Sequence, residues 1–232
     1  TSLTSITIPD SVTSIVLRAF SGCTSLTSIT IPDDVTSIGD YAFSRCSALT
    51  TIEVGGGNVN YAGVNGVLFN AKMTLLHTYP AGKKDPNYAI PDSVTSIGKQ
   101  AFSGCTSLTS IGIGVGNLNY TEVNGVLFNK EKNFLHSYPA GKTAANYIIP
   151  DSVTSIGDDA LAKCLGCLSN LASLDLSRCP CVGRSLSFLF VLPNLRQLNL
   201  KGCKGLLDAT CDLLATAMDR RERQLPELRD LS

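Results

Sequence analysis

Four thiols fall within 18 residues, as Cys164-x-x-Cys167 followed by Cys179-Pro180-Cys181. A tetrahedral zinc site uses thiols at this kind of spacing. Register argues against it: Cys164 matches Cys23, Cys46 and Cys105, and Cys179 matches Cys203. Those two thiols are therefore expected to point into the core as small apolar groups. His77 and His136 are a second pair of ligand types, each in a Leu-His-x-Tyr segment. Neither has a carboxylate or thiol at fixed spacing beside it, so they read as copies of one repeat unit. Gly55-Gly56-Gly57 lacks the Lys-Ser/Thr of a phosphate loop and the spacing of a dinucleotide turn, and reads as the entry to a hairpin. Asn119-Tyr120-Thr121 is one glycosylation sequon, with chance as its default explanation. There is no Gly-x-Ser-x-Gly, and no nucleophile, base and orienting group occur together. The chain is expected to be non-enzymatic, with no catalytic residue, cofactor or metal.

Elements that would position such groups must come from a chain of 232 residues carrying 19 basic and 19 acidic side chains. Ten basic and twelve acidic residues precede position 170, and nine and seven follow it. Neither part is a charged tail, and the totals lack the basic excess of a nucleic-acid or anionic-membrane binder. No stretch approaches the roughly 20 apolar residues of a membrane helix. The start, Thr1-Ser2-Leu3-Thr4, without Met or signal peptide, reads as a processed product or an excised piece. Nine cysteines, several at one repeat position, point to reduced packing residues more than to a disulfide framework.

Self-similarity organises the whole sequence. Ile8-Pro9-Asp10-Ser11-Val12-Thr13-Ser14-Ile15 returns with one change at 31–38 and identically at 90–97 and 149–156. Each unit contains Leu-x-x-Ile-x-Ile, whose alternation suits a short strand with one buried face, stopped by the Pro that follows. Val12, Ile15, Ala19, Phe20 and Cys23, with Val35, Ile38, Ala42, Phe43 and Cys46, are then inward positions of stacked coils. Strand starts fall near 3, 26, 49, 85, 108, 144, 171, 195 and 228, giving nine coils. Two wider spacings mark insertions near 58–84 and 117–143, which read as projecting hairpins turning at Asn65-Gly66 and Asn124-Gly125.

After residue 165 the spelling becomes Leu171-x-x-Leu174-x-Leu176-x-x-Cys179 and Leu195-x-x-Leu198-x-Leu200-x-x-Cys203. Leu207, Cys211, Leu214 and Met218 between Gly205 and Gln224 have helical spacing, which predicts helices on the convex side there. The expected fold is thus an α/β-type repeat solenoid with a curved parallel sheet, loops and hairpins first and helices later, as a single domain over 1–232.

Leu26-Thr27-Ser28-Ile29-Thr30-Ile31-Pro32 leading into Asp40-Tyr41-Ala42-Phe43-Ser44-x-Cys46 resembles the BspA-like leucine-rich repeat family. Gly66-Val67-Leu68-Phe69-Asn70 and Tyr79-Pro80-Ala81-Gly82-Lys83 resemble its long repeat variant. The likeness covers about residues 1–165; the rest is similar to cysteine-containing or ribonuclease-inhibitor-like repeats. The resemblance implies a cell-surface or extracellular protein in adhesion or host-factor binding. An intracellular scaffold or substrate-recognition subunit, in the cytoplasm, is the alternative.

Between the buried residues of each strand, Ser5, Thr7, Ser28, Thr30, Thr51, Glu53, Ser110 and Gly112 face outward. Ser173, Asp175, Gln197, Asn199 and Lys201 continue that ladder. Concave solenoid faces are the usual binding surfaces of such folds, so a protein ligand is expected there, richest in specific contacts at the charged C-terminal end. An ice-binding Thr array is set aside, because Thr7 and Thr30 give way to Glu53 and Gly112. No capping motif closes either end, and end-to-end self-association is expected.

Overall fold

A computed structural model of the chain describes residues 3–157, 160, 173–175 and 197–199, the last two segments as strand backbone. The chain divides into two compact units, Thr1–Leu127 with Pro139–Gly141, and Phe128–Tyr138 with Lys142–Ser232. Its strands run in the order β1 Ser14–Ile15, β2 Ser28–Ile31, β3 Ser37–Ile38, β4 Thr51–Val54, β5 Tyr61–Val64, β6 Val67–Asn70, β7 Leu75–Thr78, β8 Asn87–Ile90 and β9 Ser96–Ile97. There follow β10 Ser110–Ile113, β11 Tyr120–Val123, β12 Val126–Asn129, β13 Phe134–Ser137, β14 Asn146–Ile148, β15 Ser155–Ile156, β16 Ser173–Asp175 and β17 Gln197–Asn199. No helix occurs among the described residues, and the helical segment expected at 205–224 lies outside them.

In the first unit the repeated spelling becomes a stack of coils. Leu26, Ile29 and Ile31 are buried, as are Leu49 and Ile52 in the next coil, while Ser28, Thr30 and Glu53 are exposed. β2 pairs parallel with β4, Ser28 beside Thr51 and Thr30 beside Glu53. Each Pro then turns the chain: the amide of Val12 donates to Pro9 O, and those of Val35 and Val94 donate to Pro32 O and Pro91 O. The turn delivers Val-Thr-Ser-Ile, expected only as packing positions, into a second parallel ladder in which β1 pairs with β3 and β7 with β9. Beyond it Phe20 and Phe43 stack with ring centroids 5.6 Å apart. The first expected strand, near residue 3, is not a strand here; its coil is tied to the next by the Thr27 amide donating to Thr4 O.

Hydroxyls make a further ladder outside the core. Thr27, Thr36 and Thr50 donate through Oγ1 to the carbonyls of Thr4, Thr13 and Thr27, each 23 residues earlier, and Thr109 does the same to Pro86. Ser37 donates to Ser14, and the Ser21 and Ser44 hydroxyls lie 2.8 Å apart. Much of the Ser and Thr content therefore joins each coil to its neighbour.

The insertions form hairpins, but they do not project. β5 pairs antiparallel with β6 and β6 with β7. Val67, Leu68 and Phe69 are at most 1% exposed. The reason is hydrophobic: a run of three large apolar residues has no polar face to offer water, so it is buried on both sides. The Ile52 amide donates to Gly66 O, which places the Asn65-Gly66 turn on the edge of β4. Ile111 donates to Gly125 O in the same way at β10. The single sheet expected from sequence is thus broken into parallel ladders, β2 with β4, β8 with β10, and β14 with β16 and β17.

In the second unit Asn129 shapes the turn before β13, its Oδ1 accepting from the amides of Asn133 and Phe134. β13 pairs parallel with β15. β14, β16 and β17 follow in register, Asn146 beside Ser173 beside Gln197. Tyr138 and Tyr147 meet edge to face, 4.9 Å between centroids.

Candidate functional site

The outward strand positions are set by backbone alternation, because a strand that buries Ile29 and Ile31 must turn Ser28 and Thr30 the other way. In the first unit that face carries Ser28, Thr30 and Glu53, all exposed. Thr51 and Ser110 are half-buried. Each lies beneath a hairpin turn, Gly66 against Thr51 and Gly125 against Ser110, so closely that a Cβ on Gly125 would press on the Ser110 side chain. Asn87 and Ala89 share the face between them, beside Ser110 and Gly112. In the second unit the rows are Asn146, Ser173, Gln197 and Ile148, Asp175, Asn199. Ile148 is 73% exposed, an apolar side chain on an otherwise polar row. Lys201 and the cysteines at 164, 167, 179 and 181 lie outside the described residues.

His77 sits on β7, and both ring nitrogens are engaged. Nε2 lies 3.3 Å from Ile38 O and Nδ1 2.9 Å from the Thr78 hydroxyl. This geometry suits a neutral ring that donates through Nε2 and accepts at Nδ1. Burial pushes its pKa below the usual value, against smaller opposing effects of the Ile38 carbonyl and Asp40. Burial also lowers His136 to about 4; its ring meets Phe134 edge-on at 4.5 Å. His77 thus ties its hairpin to the preceding coil through Ile38 O. No group of three or more His, Cys, Asp or Glu side chains is placed to hold a metal ion among the described residues.

Cys46 and Cys105 are buried, their thiols directed at Phe20 O and Tyr79 O. Burial raises the Cys46 pKa to about 11, so it stays a thiol and a poor nucleophile.

Sequence reasoning missed the residues that shape the loops beside the strand face. Asn117 is buried, donates through Nδ2 to Pro91 O and Val94 O, and accepts at Oδ1 from the amides of Asn119 and Tyr120. Asn58 makes the equivalent bonds in the previous hairpin. The glycine cluster has a similar cause. The Asp33 carboxylate accepts from the Gly57 amide, and a Cβ on Gly55 would overlap it. Asp92 occupies the same place against Gly114 and Gly116. The recurrence of Pro-Asp followed one coil later by Gly-x-Gly-Asn was the available signal.

These loops hold apolar side chains out from the fold, Val59 at 81% and Leu118 at 79% exposure. No helix among the described residues is long and apolar enough to cross a membrane.

No curated protein matches the sequence. Among solved structures, a leucine-rich cell surface protein from Faecalibacterium prausnitzii is 28% identical with a TM-score of 0.54, covering 87% of this chain and 55% of that one. The pneumococcal vaccine antigen PcpA is 20% identical with a TM-score of 0.48, covering 86% and 51%. This chain therefore spans about half the length of each of these two proteins. The model of the BspA type leucine-rich repeat region matches in six copies over residues 1–73 and 83–164. The match stops before the segment expected to be ribonuclease-inhibitor-like, and none of these likenesses supports that expectation. With most of its length matched, and its coils built as the repeat requires, the chain belongs to the BspA-type leucine-rich repeat family.

Proposed function

We propose that the chain is a non-enzymatic protein-binding module acting at a cell surface, in adhesion or host-factor capture, through the outward face of its parallel strands. The observation that carries this reading is the division of each strand. One row is buried between coils, and the other, with Ser28, Thr30 and Glu53, is exposed and held in fixed register. A rigid, ordered row of polar groups costs little further entropy when a partner binds. The surface role draws support from the 28% identical cell surface protein of Faecalibacterium prausnitzii. We place the most selective contacts at Ser173, Asp175, Gln197, Asn199 and Lys201, in a C-terminal part that continues the same stack as cysteine-containing repeats. Capture of a partner from host-cell or matrix extract by the intact chain should fall when Gln197, Asn199 and Lys201 are changed together to Ala. Undiminished capture by that variant would remove the C-terminal patch, and failure of a Thr30, Glu53 variant to reduce it as well would remove the strand face.

A second reading, an intracellular scaffold or substrate-recognition subunit, is favoured by the packing of Cys46 and Cys105 as buried thiols. Thiol titration of the native protein separates the two: nine free thiols favour the intracellular role, several disulfides the surface one.

A further inference from the structure

The chain spells Asn-Gly twice, as Asn65-Gly66 and Asn124-Gly125, each inside the same run Val-Asn-Gly-Val-Leu-Phe-Asn. An asparagine side chain can be attacked at Cγ by the backbone nitrogen of the next residue, and glycine, with no Cβ, leaves that approach open. The nucleophile is the amide nitrogen after loss of its proton, so the groups around that peptide unit set the rate. Identical sequences make the two turns a matched pair. Their backbones match as well, with φ of 51° and 79° in the first and 54° and 76° in the second. The rotation that carries Cγ to the nitrogen is therefore common to both.

The surroundings of the two amides differ. In the first turn Asn65 is exposed and Gly66 half-buried, and the Gly66 amide donates to no group among the described residues. The Lys83 ammonium donates to Asn65 O at 3.0 Å, from a side chain only 19% exposed. Asn65 O and Gly66 N belong to one peptide unit, so a cation on the oxygen stabilises the anion formed when the nitrogen loses its proton. In the second turn Gly125 is buried, and its amide donates to the Glu122 carboxylate. That negative charge opposes loss of the same proton. Gly63 stands at the position of Glu122 in the first hairpin and brings no charge there.

We propose that Asn65 is a modification site, at which the folded chain deamidates spontaneously, while Asn124 is held intact. Water or hydroxide takes the Gly66 amide proton, the nitrogen bonds to Asn65 Cγ, and the Cγ–Nδ2 bond breaks to release ammonia, which takes a proton from solvent. The five-membered succinimide then adds water. Opening at Cγ leaves aspartate, and opening at the backbone carbonyl leaves isoaspartate; no oxidant or reductant enters. Either product sets a carboxylate beside the Lys83 ammonium, on a turn that lies over Thr51 of the strand face, and takes the formal charge from zero to negative. The reaction needs only this turn, and its test does not depend on the strand face binding a partner.

The intact chain is incubated at mildly alkaline pH, and each asparagine is followed by peptide mass spectrometry, with enzymatic methylation of isoaspartate as a second readout. In urea, where the surroundings are lost, the two asparagines should convert at one rate. In the folded chain Asn65 should convert about tenfold faster than Asn124, since one pKa unit of amide acidity is a factor of ten. Lys83→Met should slow Asn65 about tenfold, and Lys83→Arg should keep the parent rate. Urea unfolding checks that each variant is folded. The proposal is overturned if Asn65 stays intact in the folded chain, if the two asparagines convert equally there, or if a folded Lys83→Met keeps the parent rate.

Discussion

At the scale of single residues, the side chains that matter most for the coils are polar ones seated in backbone. Asn117 satisfies two carbonyls and two amides at once. Asn117→Ala would strand those groups, and a loss of roughly 3 kcal/mol is expected in urea unfolding. Asn58→Ala should cost less, because its site is half-open to water that can replace the bonds. The Asp92 carboxylate against Gly114 gives a paired test. Gly114→Ala should destabilise by about 1–3 kcal/mol through overlap, and adding Asp92→Ala should recover part of the loss. Equal losses in the single and double variants would show that the overlap is not the cause. The histidines set a pH dependence. Both are held neutral by burial, with folded pKa values below 6.5, that of His136 at about 4. Between those values the unfolded chain binds protons that the folded chain refuses, so stability is complete above 6.5 and falls as pH drops toward 4. His136→Gln should flatten that part of a stability curve, whereas a parent curve already flat between pH 4 and 6.5 would exclude this linkage.

At the scale of elements, the alternation in Leu26-x-x-Ile29-x-Ile31 made the strand face legible from sequence, since period two leaves one arrangement for a half-buried strand. The hairpins were legible as hairpins from Asn65-Gly66 and Asn124-Gly125, and not as part of the core. Yet Val67-Leu68-Phe69 carried the sign of a strand buried on both faces, because three consecutive large apolar residues cannot alternate. The second ladder at Thr-Ser-Ile was hidden by its two-residue length, too short for any period. Burial of the hairpin makes a sharp prediction. Leu68→Ala should cost about 2–5 kcal/mol, as deletion of a fully packed leucine does. Val59→Ala, on the exposed loop just before, should stay within about 0.5 kcal/mol. Similar small effects at both positions would restore the projecting hairpin.

At the scale of the whole molecule, a stack of coils is held by nearest-neighbour packing, so each coil needs a partner on both sides. Ile29 and Ile52 have theirs and are almost wholly buried. In the first described coil Val16 and Leu17 remain 65% and 59% exposed, with Leu3 and Ile6 at 37%. Val16 and Leu17 are two adjacent large apolar side chains left mostly in water, a feature of the kind that soluble chains cover by association. The formal charge of zero at pH 7 supplies no long-range repulsion to oppose contact. The chain is therefore expected to self-associate through this coil, with an average mass by light scattering that rises with concentration. Val16→Lys with Leu17→Lys places two like charges at the contact and removes its apolar area, and should return the mass to that of a monomer. Thermal unfolding should be nearly unchanged, because neither side chain is buried in the parent. A parent chain that stays monomeric as concentration rises would rule out association through the first coil. Association that survives both lysines would move the contact elsewhere.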